Sequence, residues 1–171
     1  MKKIILITGG QRSGKSMYAE RLALSMTDQP IYFATARIWD EEFKERVKRH
    51  QARRGDNWTN IEEEKYLSHH TIYNKVCVVD CITLWCTNFF FDANQNNPKE
   101  PVIDEALDTI KKEFDQFTAQ DATFIFVTNE IGSGGVSDNV VQRRFTDMEG
   151  WMNQYVASKA DEVVLMVSGI P

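Results

Sequence analysis

The stretch "KKIILITGGQRSGKS", residues 2–16, decides how the rest of the chain is read. Lys2 to Thr8 is a compact run of apolar and β-branched residues that ends in glycine, the pattern of a buried strand. From Ser16 to Met26 apolar residues recur at helical spacing. Between them Gly9 to Ser16 satisfies G-x-x-x-x-G-K-[ST], and strand before with helix after is the context that this motif requires. The glycines let the backbone turn tightly and bring N–H groups toward phosphate oxygens, while the helix start adds its positive dipole end. The spacing therefore predicts an anion cradle, a P-loop, formed by Gly9, Gly10, Gln11, Arg12, Ser13, Gly14, Lys15 and Ser16. Lys15 would reach the β- and γ-phosphates as a catalytic cation, and the Ser16 hydroxyl would ligate a magnesium ion.

Working outward, Ile31–Ala36, Val76–Asp80, Ala122–Thr128 and Glu162–Val167 read as further strands. Helical patterns fall at Asp40–Arg54, Val102–Phe117 and Val140–Ser158, with another after Cys81. Strands that alternate with helices predict an α/β fold with a mostly parallel sheet flanked by helices on both faces. The polar stretch Asp92–Glu100 is expected to be a surface loop, and residues 1–171 a single nucleotide-binding domain. Asp80 closes the apolar run "VCVVD" at the carboxyl end of what would be a neighbouring strand, where a carboxylate could share the magnesium ion with Ser16.

The chain has 171 residues, 42% of them hydrophobic, enough for a sizeable core. Its formal charge of -5 argues against a general nucleic-acid coat. Ile4–Ile7 is too short for a signal-peptide core and no run approaches a membrane span, so a soluble, cytoplasmic protein is expected. Cys77, Cys81 and Cys86 lack zinc-site histidine spacing and read as buried thiols in a reducing compartment.

Against this acidic background, Lys44 to Arg54 carries six basic residues and only one acidic residue, Glu45. Phe43, Val47 and His50 share a helical face, so His50 is expected to look inward. A histidine so placed suits two roles. It is either a hydrogen-bonded ring at the core edge or a nucleophile that nearby cations keep neutral while they also neutralise a triphosphate. His69 and His70 lack such surroundings and read as solvated or capping residues.

Taken together, "TGGQRSGKS", "YFATARIWDEEFKERVKRHQARR", "VVDCITLWCTN", "VTNEIGSGGV", "RRFTDMEGWMNQ" and "VVLMVSGIP" resemble, nearly end to end, one family. This is the bifunctional adenosylcobinamide kinase/adenosylcobinamide-phosphate guanylyltransferase family of cobalamin nucleotide-loop assembly. The resemblance implies a RecA-like fold, a homotrimer, and two reactions. A nucleoside triphosphate, ATP or GTP, phosphorylates the cobinamide hydroxyl, and GMP from GTP is then transferred to that phosphate through a guanylylated histidine, matched here by His50. It also implies nucleotide contacts at the P-loop, at Ala34, Thr35 and Ala36, at Gln51, Ala52, Arg53 and Arg54, and at Glu62. Asn60 and Ser137 depart from the family's frequent threonine and proline. Gly132, Gly134 and Gly135 suit either a lid over the corrinoid or a plain flexible turn. Two other readings fit the motifs alone: a small-molecule kinase without nucleotidyl transfer, and a RecA-like nucleotide-dependent module that binds nucleic acid through the basic helix.

Overall fold

A computed structural model of the chain describes residues 1–38, 41, 44, 45, 48, 52 and 54–171. Six strands form one sheet: β1 (Lys3–Gly9), β2 (Ile31–Ala34), β3 (Thr59–Glu62), β4 (Val76–Asp80), β5 (Thr123–Val127) and β6 (Glu162–Met166). Their order is β3-β2-β4-β5-β1-β6, and every pairing is parallel. The helices are α1 (Lys15–Met26), α2 (Ile82–Ala93), α3 (Asp104–Phe117) and α4 (Val140–Lys159), with short 3-10 turns at Leu67–His69 and Ile131–Gly134.

The two-residue period of the central strands sorts their side chains onto two cores. Ile4, Leu6, Phe33, Cys77, Val79, Phe124 and Phe126 pack on one face against Trp85 and Phe89 of α2, Ile110 and Phe114 of α3, and Met148 and Met152 of α4. Ile5, Ile7, Tyr32, Val78, Ile125 and Val127 face the other way, against Ala19 and Ala23 of α1. Both faces are thus covered, which explains why β1, β4 and β5 read as continuous apolar runs rather than alternating ones. On α3 the acidic residues Asp104 and Glu105 occupy the first turn, where they complement the helix dipole. The Asn139 side chain caps α4 by accepting from Gln142 N at 3.1 Å.

The predicted α/β architecture is the one observed, with three differences. β3 was not expected from the sequence: "TNIE" has a single apolar residue and lies mostly exposed at the sheet edge, where it pairs only with β2. β2 ends at Ala34, two residues short of the expected limit. Asp80 does not lie on a strand adjacent to β1, because β5 intervenes between β4 and β1. Of the predicted helix Asp40–Arg54, the residues Glu41, Lys44, Glu45, Lys48 and Ala52 are helical, while His50, with Phe43 and Val47 of its predicted face, lies outside the described residues. Among the described residues no helix is long and apolar enough to cross a membrane.

Candidate functional site: a nucleotide cleft at the carboxyl edge of the sheet

A parallel sheet gathers the carboxyl ends of its strands at one edge, and ligands bind in the crevice outside them. Here that edge opens into a cleft of about 650 Å³, lined by residues 11–17 of the P-loop and the start of α1 and by residues that follow β2, β4 and β5.

The loop's shape follows from its glycines and from the segment behind it. Gly9 has φ 147°, and a Cβ there would lie 2.5 Å from Met166 O and 2.9 Å from Ser13 Oγ, so only glycine fits. Gly14 has φ 94° and stands at the N-cap of α1, close enough to Gly169 that a Cβ would be 3.3 Å from its Cα. Ser13 O accepts from Gly169 N at 2.9 Å, so the residues after β6 brace the loop from behind. No side chain caps α1 and no acidic residue occupies its first turn, which leaves its amino end to an anion.

Lys15 is buried, its ammonium donating to Gly10 O and lying 3.4 Å from Ser13 Oγ. Burial holds its pKa below the ordinary lysine value, opposed by Cys81 and by Asp80. A desolvated cation in this position gains most from an incoming polyanion.

Across the cleft, Tyr32 donates to Asp80 Oδ2 at 2.7 Å. Burial, together with Asp80, pushes the tyrosine hydroxyl well above its ordinary pKa, so it stays protonated and donating. The Arg54 guanidinium stacks on the Tyr32 ring at 3.5 Å, and Trp58 meets the ring edge-on at 5.9 Å. Arg54 Nε donates to Asn60 Oδ1 at 2.8 Å, while its Nη1 lies 3.7 Å from Glu20 Oε1 and has no hydrogen-bond partner among the described residues. A buried guanidinium with an unfilled donor suits a phosphate or a purine edge.

Of the residues singled out by sequence, the structure brings Gln11, Arg12, Ser13, Gly14, Lys15, Ser16, Ala34, Ala36, Arg54 and Asp80 to the cleft wall. Gly9 and Gly10 form the turn beneath it. Thr35 is fully buried and spends its hydroxyl on the Cys81 backbone, donating to O at 2.8 Å and accepting from N at 2.9 Å. Glu62 is exposed at the end of β3, and Ala52 is an exposed helical residue. His50, Gln51 and Arg53 lie outside the described residues. Tyr32, Thr83, Asn129 and Glu130 also line the cleft and were not singled out from sequence. The usable signals were a phenol within an apolar strand and polar residues just past strand ends.

Among the described residues no three histidine, cysteine or acidic side chains converge as a metal cluster. Burial raises the pKa of all three thiols, that of Cys81 to about 12.

The fold and the loop define a P-loop nucleotide-binding protein of the α/β class. Residues 5–171 match the family model described as cobinamide kinase / cobinamide phosphate guanyltransferase. The chain is 36% identical over 176 residues to the bifunctional adenosylcobalamin biosynthesis protein CobU of Escherichia coli (strain K12), covering 98% of this chain and 97% of that protein. It is 35% identical over 179 residues to CobU of Salmonella typhimurium (98% and 97% covered) and 34% over 172 residues to CobP of Pseudomonas aeruginosa (97% and 94%). The chain belongs to the cobinamide kinase / cobinamide phosphate guanyltransferase family, and its activity is that of this transferase.

Proposed function

We propose that the one cleft serves both transfers in turn on adenosylcobinamide, giving adenosylcobinamide-GDP. The observation that carries this reading is that two buried cations, Lys15 and Arg54, line one cleft open to solvent. In the kinase step the loop orients the γ-phosphate of ATP or GTP for in-line attack by the substrate hydroxyl, and Lys15 absorbs charge that develops on the phosphates. In the second step a neutral ring nitrogen of His50 attacks the α-phosphorus of GTP. The bond from that phosphorus to the bridging oxygen breaks and pyrophosphate leaves. The phosphate oxygen of cobinamide phosphate then attacks the same phosphorus, the P–N bond breaks, and the histidine is restored.

Gln51, Ala52, Arg53, Arg54 and Glu62 complete the guanine-nucleotide contacts in this scheme, with Ala34, Thr35 and Ala36 beside β2. Ser16 and Asp80 would hold Mg²⁺, which supplies charge neutralisation to the phosphates when bound; the Tyr32 bond to one oxygen of Asp80 fixes the direction of that carboxyl group. The protein is read as a single cytoplasmic domain that binds no nucleic acid and assembles as a homotrimer. The exposed apolar side chains Val163 and Leu165 on the edge strand β6 support such an assembly.

The test uses two labels. With γ-labelled GTP, cobinamide should become labelled in the parent and in His50→Ala alike. With α-labelled GTP, the parent should carry label on protein and then on product, whereas His50→Ala should carry none. Label retained by that variant would exclude the histidine as nucleophile.

A further inference from the structure

Glu149 is not used by this chemistry, yet it is only 1% exposed and sits midway along α4, facing the start of α2 and the residues that leave β5. Its Oε1 is 2.9 Å from Thr83 Oγ1 and 3.3 Å from Thr128 Oγ1. Thr128 Oγ1 is 2.7 Å from Asn153 Oδ1, and Asn153 Nδ2 donates to Asn129 O at 3.3 Å. Asn129 closes the circuit by donating through N and Nδ2 to Thr83 Oγ1, at 3.0 and 3.2 Å. Two members of this circuit, Thr83 and Asn129, line the nucleotide cleft. The next residue, Glu130, donates its backbone N–H to Gly9 O at 3.1 Å and so ties the circuit to the P-loop.

Counting hydrogens favours one state of the carboxyl. A hydroxyl carries one hydrogen. Thr83 Oγ1 receives two from Asn129, so its own goes to Glu149. Asn153 turns its amide nitrogen to Asn129 O, which leaves its Oδ1 facing Thr128, and the Thr128 hydrogen goes there. The contact between Thr128 and Glu149 then has no hydrogen unless the carboxyl supplies it.

We propose that Glu149 is a positioning residue for both transfers: as a neutral carboxylic acid it donates to Thr128 and so holds Thr83 and Asn129 in the cleft wall. Its surroundings agree. Burial pushes this carboxyl up to about 7, partly offset by its hydrogen bonding with Thr83, Asn153 and Thr128. Among the described residues the ionisable groups that face it are Glu130 beyond β5, Cys81 before α2 and Cys86 within α2, and none brings positive charge. Once ionised, the carboxylate meets a lone pair on Thr128 with no cation to compensate, and the 128–130 segment is left with its Asn153 bonds as its ties to α4.

The proposal rests on the cleft binding nucleotide, and two measurements test it. GTP affinity by calorimetry, and kcat/KM for GTP, are followed from pH 6 to 9 in the full-length parent and in Glu149→Gln, whose amide keeps a donor without a titration. The parent should lose affinity above about pH 7, by up to about tenfold per unit for a one-proton step, and the amide variant should lack that limb. An identical limb in both proteins overturns the proposal, while absence of GTP binding at any pH overturns it together with the nucleotide reading. Should the variant fail to fold, carbon-13 NMR of the parent's assigned Glu149 carboxyl decides: a midpoint near 7 is expected, and one in the ordinary glutamate range overturns it.

Discussion

The Lys15 ammonium is held out of water by the loop it belongs to, with a backbone carbonyl as its nearest partner. Such a cation is unstable by itself and is relieved by phosphate, so in the proposed scheme it serves binding and transfer together. Lys15→Ala is expected to lower kcat/KM of both half-reactions by about 10²-fold or more, measured in separate kinase and guanylyltransfer assays. On the opposite wall, Tyr32→Phe removes the donor to Asp80 and should destabilise the fold by about 1 to 2 kcal/mol, read from urea denaturation. Glu149 gives a pH dependence of known sign. Its folded pKa, about 7, exceeds its ordinary 4.5, so between those values the folded state binds more protons than the unfolded one. Stability contributed by the neutral acid is therefore complete below about pH 4.5, declines as pH rises through this window, and is gone above about 7. The integrated change is on the order of 3 kcal/mol. Glu149→Gln should remove that decline in denaturation midpoints compared at pH 5 and pH 8.

At the scale of elements, the site is one loop braced by two others. Gly9 is pinned between Met166 O and Ser13 Oγ, and Gly169 N holds Ser13 O, so the residues after β6 support a loop at the start of the chain. Gly9→Ala should cost about 1 to 3 kcal/mol from the strained φ and the clash, visible as a lower Tm together with lost GTP binding in calorimetry. The P-loop was legible because its constraint is local: glycines, lysine and hydroxyl stand within eight residues between an apolar run and a helical period. β1, β4 and β5 were legible for a related reason, since burial on both faces leaves an unbroken apolar signature. β3 was not, because its single apolar residue, Ile61, makes no pattern and its pairing with β2 is a tertiary event. The same holds for Tyr32 and Asp80, which are 48 residues apart in sequence and meet only because β2 and β4 are neighbours. Glu149 was not legible because a charged residue within a helix reads as surface until α4 is placed against α2 and β1.

For the whole molecule, the strand order explains why a site near the N-terminus draws on residues from across the chain. β1 and β4 are separated by β5, and the cleft spans all three, so Lys15, Asp80 and Asn129 converge without being adjacent in sequence. At the far side of β1, the edge strand β6 shows Val163 and Leu165, 51% and 56% exposed. An edge with apolar side chains invites pairing with another copy. A Leu165→Lys variant should sediment as a smaller species than the parent if that face joins subunits; equal sedimentation would show that it does not. Covalent relay of GMP is the claim that sets this protein apart from a simple kinase built on the same cradle. It is tested most directly by incubating the protein with GTP, digesting it under mildly alkaline conditions, and locating the nucleotide by peptide mass spectrometry. A GMP adduct on the peptide that contains His50, labile to acid, is the predicted result; an adduct confined to another residue, or none while cobinamide-GDP is still formed, would contradict it.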